Sequence, residues 1–201
     1  PKVAVGFSLG GNMLLKLLGE NPAQKWLNAA IAISSPLKLS ECAKSINHGF
    51  SRVYQKYLLN SIKTTLRKKM SFIDYRKLIQ LTGDDVDGIS SFAQFDEKVT
   101  APLHGFEDAN DYYEKCSAYH FLSAIHCPTL VLHSIDDPFM NHLVVPKEEE
   151  LARNVTLELS ERGGHVGFMQ GSVFSPKVWL HERVKRYVSD VLPINPTTPY
   201  V

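Results

Sequence analysis

The chain has no apolar run approaching the ~18 residues of a membrane-spanning helix, and no basic-then-apolar leader opens it. Cysteine is scarce. Cys42, Cys116 and Cys127 make three, an odd number without C-x-x-C spacing, which excludes a disulfide framework or a zinc knuckle and favours a reduced compartment. Nor is there a basic excess: the formal net charge is +1, whereas a protein that neutralises many phosphates usually carries a strong positive balance. Nucleic acid is therefore not an expected partner, and a cytoplasmic location is expected. Repeats and low-complexity tracts are absent as well.

What is present is an ordinary globular balance. Hydrophobic residues make up 44% and charged residues 21% of 201 residues, enough for a core in one domain or part of one. Val3 to Val5 reads as a short buried strand, followed by a helix over Asn12 to Leu18 with apolar residues around most of its circumference. "LNAAIAISSP", "CPTLVLHSIDDP" and "NVTLELSERGGH" read as three further strands, bounded by proline and glycine. A last helix is expected from about Pro176 to Leu192, then a proline-rich tail, "PINPTTPYV". Strands alternating with helices imply an α/β fold with a mostly parallel sheet. The insertion at about 38–125 has no strand signal, and its recurrence of Phe50, Val53, Tyr54, Tyr57, Leu58, Ile62 and Leu66 reads as a helical cap.

The chemistry concentrates at "VGFSLGGN". A serine hydroxyl is a weak nucleophile until a base removes its proton and donors stabilise the oxyanion it creates. In a strand-G-x-S-x-G-helix turn, small residues at Gly6 and Gly10 let strand and helix close up and expose Ser8. The backbone N–H of Leu9 is then placed for the oxyanion, at a helix N-terminus that favours negative charge. The plainer alternative makes Ser8 only the N-cap of a tight turn.

Base and acid are expected after Ser8, in the order serine, acid, histidine. Asp136 and Asp137 follow one strand, and His165 follows "SERGG" after another, both at the carboxyl edge where open α/β sheets bind ligands. Of the other histidines, His142 is the nearest rival, but it lacks the strand-then-glycine setting. Spacing does not choose between Asp136 and Asp137. The run Arg52, Lys56, Lys63, Arg67, Lys68 and Lys69 reads as a solvated helix face, with contact to a membrane surface as the alternative.

Taken together, "GFSLGGNMLLKLLGE", "FSRVYQKYLLN", "HGFEDANDYYEKCSA", "PTLVLHSIDDPFM" and "ERGGHVGF" resemble the YheT-like branch of the α/β-hydrolase superfamily. The resemblance implies an α/β-hydrolase sheet with a helical cap, no metal or cofactor, and a carboxylesterase-type activity. It matches Ser8 to the nucleophile and His165 to the histidine, and favours Asp137, three positions beyond Ser134, as the acid. No His-Gly oxyanion loop precedes Ser8, since His48-Gly49 and His104-Gly105 follow it. The chain, which opens on Pro1, is therefore expected to be the carboxyl-terminal part of a larger hydrolase, with the N-terminal strands missing and an aggregation-prone edge at Val3 to Val5. The expected partner is a small-molecule or lipid-like ester of short or medium acyl chain. Acyl transfer on the same fold, or a non-catalytic binding module, are the alternatives.

Overall fold

A computed structural model of the chain describes residues 1–172 and 175–192. The expected proline-rich tail lies outside them. The described residues divide into two compact units: Pro1–Leu37 with Ser117–Asp137 and those from Asn141 onward, and Lys38–Cys116 with Pro138–Met140.

The first unit is built on four parallel strands in the order β1 (Val3–Phe7), β2 (Ala29–Ile33), β3 (Thr129–Ser134), β4 (Val155–Ser160). Every residue of β2 and β3 is buried. Parallel strands covered on both faces need continuous apolar sequence, and "AAIAI" and "TLVL" supply it. On one face Ala29, Ile31, Ile33, Leu130 and Leu132 form a cluster with Phe168, Leu180 and Tyr187. Helix α1 (Leu9–Glu20) packs against β1 and β2. Each Ile or Leu side chain buried this fully contributes about 1.5–3 kcal/mol relative to exposure.

β1 departs from the buried strand its composition suggests. It pairs only with β2 among the described strands, and Val5 is 41% exposed. The following helix is longer than its apolar run, and only part of its circumference is covered: Leu15 and Leu18 are in the core, whereas Met13 is 64% exposed. Counting apolar positions does not distinguish a helix packed on one side from one packed all round.

The second unit is helical: α2 (Leu39–Ser45), α3 (Ser51–Met70), α4 (Tyr75–Ile79), α5 (Gly83–Gly88), α6 (Phe92–Phe95), α7 (Ala101–His104) and α8 (Ala109–Cys116), with a π-helical stretch, Asp96–Thr100, between α6 and α7. Along α3 the buried residues are Ser51, Gln55, Leu59 and Leu66. Leu59 and Leu66 meet Tyr75, Leu81, Val86, Ile89 and Val99. Most of the apolar series read from the sequence therefore faces outward, with Tyr57 75% exposed. The basic run is not wholly solvated either. Lys63 donates to the carbonyls of Asp87 and Ile89 at 2.9 and 2.8 Å, and Arg67 donates to the carbonyl of Gly83 at 2.8 Å and pairs with Asp87. These two cations tie α5 to α3.

At the end of the described chain a two-stranded antiparallel hairpin, β5 (Met169–Ser172) and β6 (Ser175–Val178), precedes α9 (Trp179–Val191). The last helix thus starts later than expected. Pro176 suits a helix start because it lacks an N–H, but the same property suits an outer strand, where Pro176 lies opposite Gly171. α9 buries Leu180 and Tyr187 and packs Val184, Val188 and Val191 against the sheet cluster. Among the described residues no helix is long and apolar enough to cross a membrane.

α1 also runs beside the 3-10 turn Ala118–Ala124, and Asn12 Oδ1 accepts from Ala118 N at 2.8 Å. Gly19 allows this approach, since a Cβ there would lie 2.5 Å from the carbonyl oxygen of Phe121. Gly19→Ala is expected to destabilise the protein by about 1–3 kcal/mol, read as a lower urea midpoint. An unchanged midpoint would contradict the close packing.

Candidate active site

Parallel pairing brings the strand ends level. Phe7 lies opposite Ile33, Ile33 opposite Leu132, and Leu132 opposite Glu158. The ladder continues one residue past β1 and β2: Ser8 N donates to Ile33 O at 2.8 Å and Ser34 N to Leu132 O at 2.9 Å. Ser8, Asp137 and His165 therefore emerge at one edge of the sheet.

Ser8 sits between β1 and α1 with φ 49° and ψ −126°. For a non-glycine residue this is a strained conformation, costing on the order of 1–3 kcal/mol unless its surroundings enforce it. Ser8 holds the N-cap position of α1, but its hydroxyl makes no capping hydrogen bond to the helix, so the side chain is not used as a cap. Instead Ser8 Oγ lies 2.9 Å from His165 Nε2. Leu9 opens α1, and its N–H is among the first four of the helix, which have no intrahelical acceptor.

His165 Nδ1 lies 2.9 Å from Asp137 Oδ2. An ionised carboxylate only accepts, so the ring proton belongs on Nδ1 and Nε2 is left to accept from Ser8. The Asp137 side chain is wholly buried, and that of His165 is 16% exposed. Asp136, one residue earlier, does not bond the imidazole. Its Oδ1 accepts from the N–H groups of Gly163 and Gly164, each at 2.8 Å. His142 heads a 3-10 turn capped by Asn141, whose Oδ1 accepts from Leu143 N at 2.9 Å.

Two neighbours had no distinguishing signal in the sequence. His133 is buried in β3. Burial pulls its imidazole below the ordinary value, Asp137 works in the opposite direction, and His165 adds to the lowering. Ser34 is fully buried with φ 48°, and its hydroxyl accepts from Val166 N at 3.1 Å.

A serine at a strained strand-to-helix turn, bonded to a histidine that a buried aspartate bonds in turn, agrees with a family-level match to the alpha/beta hydrolase fold over residues 1–172. The chain belongs to the α/β-hydrolase fold family. It is 41% identical over 192 residues to the candidate esterase YheT of Escherichia coli (strain K12), across 96% of this chain and 56% of that protein. It is 30% identical over 208 residues to a monoacylglycerol lipase ABHD2 of Danio rerio, across 94% of this chain and 47% of that one. With the human protein of the same name the identity is 29% over 209 residues, across 94% and 48%. The chain spans about half the length of the curated relatives it matches.

The glycines of this α/β-hydrolase turn differ from the simplest expectation. A Cβ on Gly6 would lie 2.6 Å from Gly10 O and 2.7 Å from Gly11 Cα, and one on Gly11 would lie 2.0 Å from Ser35 Oγ. Gly10 itself has open space where a Cβ would project. The close approach thus depends on Gly6 and Gly11, and Gly10 contributes only its backbone. Gly6→Ala and Gly11→Ala are each expected to cost about 1–3 kcal/mol, whereas Gly10→Ala is neutral or stabilises α1 by up to about 1 kcal/mol. Chemical denaturation of the three variants checks the ranking. Equal losses at all three positions would contradict it.

Proposed function

We propose that this chain carries the nucleophile, base and acid of a serine esterase acting on carboxylic esters of short or medium acyl chain. The observation that carries the reading is the relay of two hydrogen bonds, each 2.9 Å, from Ser8 through His165 to Asp137. Esterase and lipase names among the relatives support an ester substrate. The odd number of cysteines, without C-x-x-C spacing, supports a reducing, cytoplasmic setting.

In the proposed reaction the hydroxyl of Ser8 attacks the acyl carbon while His165 Nε2 takes its proton. The tetrahedral oxyanion is stabilised by the Leu9 N–H at the positive end of α1. Collapse breaks the bond to the alcohol oxygen, which leaves with the proton now held on Nε2. Water then gives a proton to Nε2 and its hydroxide to the acyl carbon; the bond from that carbon to Ser8 Oγ breaks, Oγ takes the proton back from Nε2, and the acid is released. Asp137 holds the ring in the required tautomer and favours the imidazolium formed in each half.

Ser8→Ala and His165→Ala are each expected to lower kcat by at least about 10⁴-fold and Asp137→Asn by about 10⁴-fold. A panel of p-nitrophenyl esters from acetate to palmitate reads both these losses and the chain-length preference. Turnover retained in Ser8→Ala would refute the nucleophile assignment. A flat panel would refute the preference for shorter chains.

A further inference from the structure

The backbone around His165 is not one that the sequence holds by itself. Gly164 has φ 56° and Val166 has φ 59°, and the left-handed region is a genuine outlier for a β-branched residue such as valine. No strand or helix covers residues 161–168, and within the loop Phe168 N donates to Gly163 O at 2.9 Å. Side chains at two neighbouring strand ends add the contacts that tie the loop to the sheet edge. Asp136 Oδ1 receives two N–H groups, from Gly163 and Gly164. The Ser134 hydroxyl donates to Gly164 O at 2.6 Å. Ser34 Oγ receives Val166 N. His165 is the residue left between these anchors, with its ring bonded at both nitrogens.

We propose that Asp136 is a positioning residue of this site, latching the Gly163–Gly164 turn and so setting the place of the His165 imidazole between Ser8 and Asp137. The inference rests on the esterase reading above. It gives the adjacent aspartates separate tasks, one on the imidazole ring and one on the backbone that carries it. The plainer reading of Asp136 is a solvated loop carboxylate, because the residue is exposed. Two N–H groups converging on a single oxygen argue against that: charge-assisted bonds of this kind are about twice as strong as neutral ones. The glycine geometry agrees, because a Cβ on Gly163 would lie 2.8 Å from Ser134 Cβ. The turn is thus pressed against the end of β3, where Asp136 can reach both amides. Burial works upward on the Asp136 carboxyl, but the N–H groups of Gly164 and Gly163, with the nearby Ser134 hydroxyl and the N–H of Asp136 itself, together hold it below the usual carboxylate range.

Displacing a catalytic group by about 1 Å can cost on the order of 10²-fold in rate without altering substrate contacts. The test compares wild type, Asp136→Ala and Asp136→Asn in the full chain, with p-nitrophenyl butyrate as substrate and amide hydrogen exchange across residues 161–167 as a second readout. Asp136→Ala is expected to lower kcat by about 10- to 100-fold with KM within about twofold, and to speed exchange in that segment. Asp136→Asn keeps an oxygen acceptor and is expected to recover most of the rate and the protection. Unchanged kcat in Asp136→Ala, or an Asn variant as slow and unprotected as Ala, would overturn the latch. If the wild type cleaves no ester, the esterase reading fails by itself, and exchange in Asp136→Ala still decides the latch.

Discussion

The in-register parallel pairing of β1 through β4 is the constraint on which the site depends. Parallel strands run the same way, so every connection from a carboxyl end leaves from one edge. Ser8 and His165 are separated by most of the chain, yet Ser8 Oγ and His165 Nε2 are within hydrogen-bond distance because β1 and β4 end on that edge. A one-residue slip of any pair would turn the side chains of that strand to the opposite face. The buried Ala29, Ile31, Ile33, Leu130 and Leu132 resist such a slip, so the sheet core that stabilises the unit also aligns the chemistry.

Backbone strain collects where the aligned ends turn. Ser8, Ser34 and Val166 all have positive φ, and each lies at or beside the Ser8–His165 contact. Such conformations persist only where surrounding contacts over-determine them. At Ser8 those contacts are the bond from Ser8 N to Ile33 O and the close fit of Gly6 against Gly10 and Gly11. At Val166 the contact is the Ser34 hydroxyl. The strained residues thus support one another across strands: Ser34, itself in the left-handed region, accepts the N–H next to His165.

The fold class was legible because β2 and β3 are short apolar runs cut off by proline and serine, and because glycine-bracketed Ser8 joins a strand to a helix. The strand signals ahead of Ser8 and of the "SERGG" turn marked Ser8 and His165 as candidates, and their side chains lie 2.9 Å apart. The choice between Asp136 and Asp137 was not legible from spacing, because adjacent loop residues point in different directions and only tertiary geometry separates the ring-bonding oxygen from the latch. Burial was read least well. The outward apolar residues of α1 and α3 show that an apolar pattern reports what a helix can bury, whereas burial depends on which neighbours reach it. The β5–β6 hairpin has no clear signal in the sequence, because Pro176 fits a helix start and an outer strand equally well.

The most direct test of the central claim, that the Ser8–His165–Asp137 relay activates one serine, is to treat the full chain with a fluorophosphonate and map the adduct by mass spectrometry, with and without His165→Ala. The account predicts a single adduct on Ser8 that forms far more slowly once His165 is removed. An adduct on another serine, or labelling of Ser8 at an unchanged rate in His165→Ala, would contradict it.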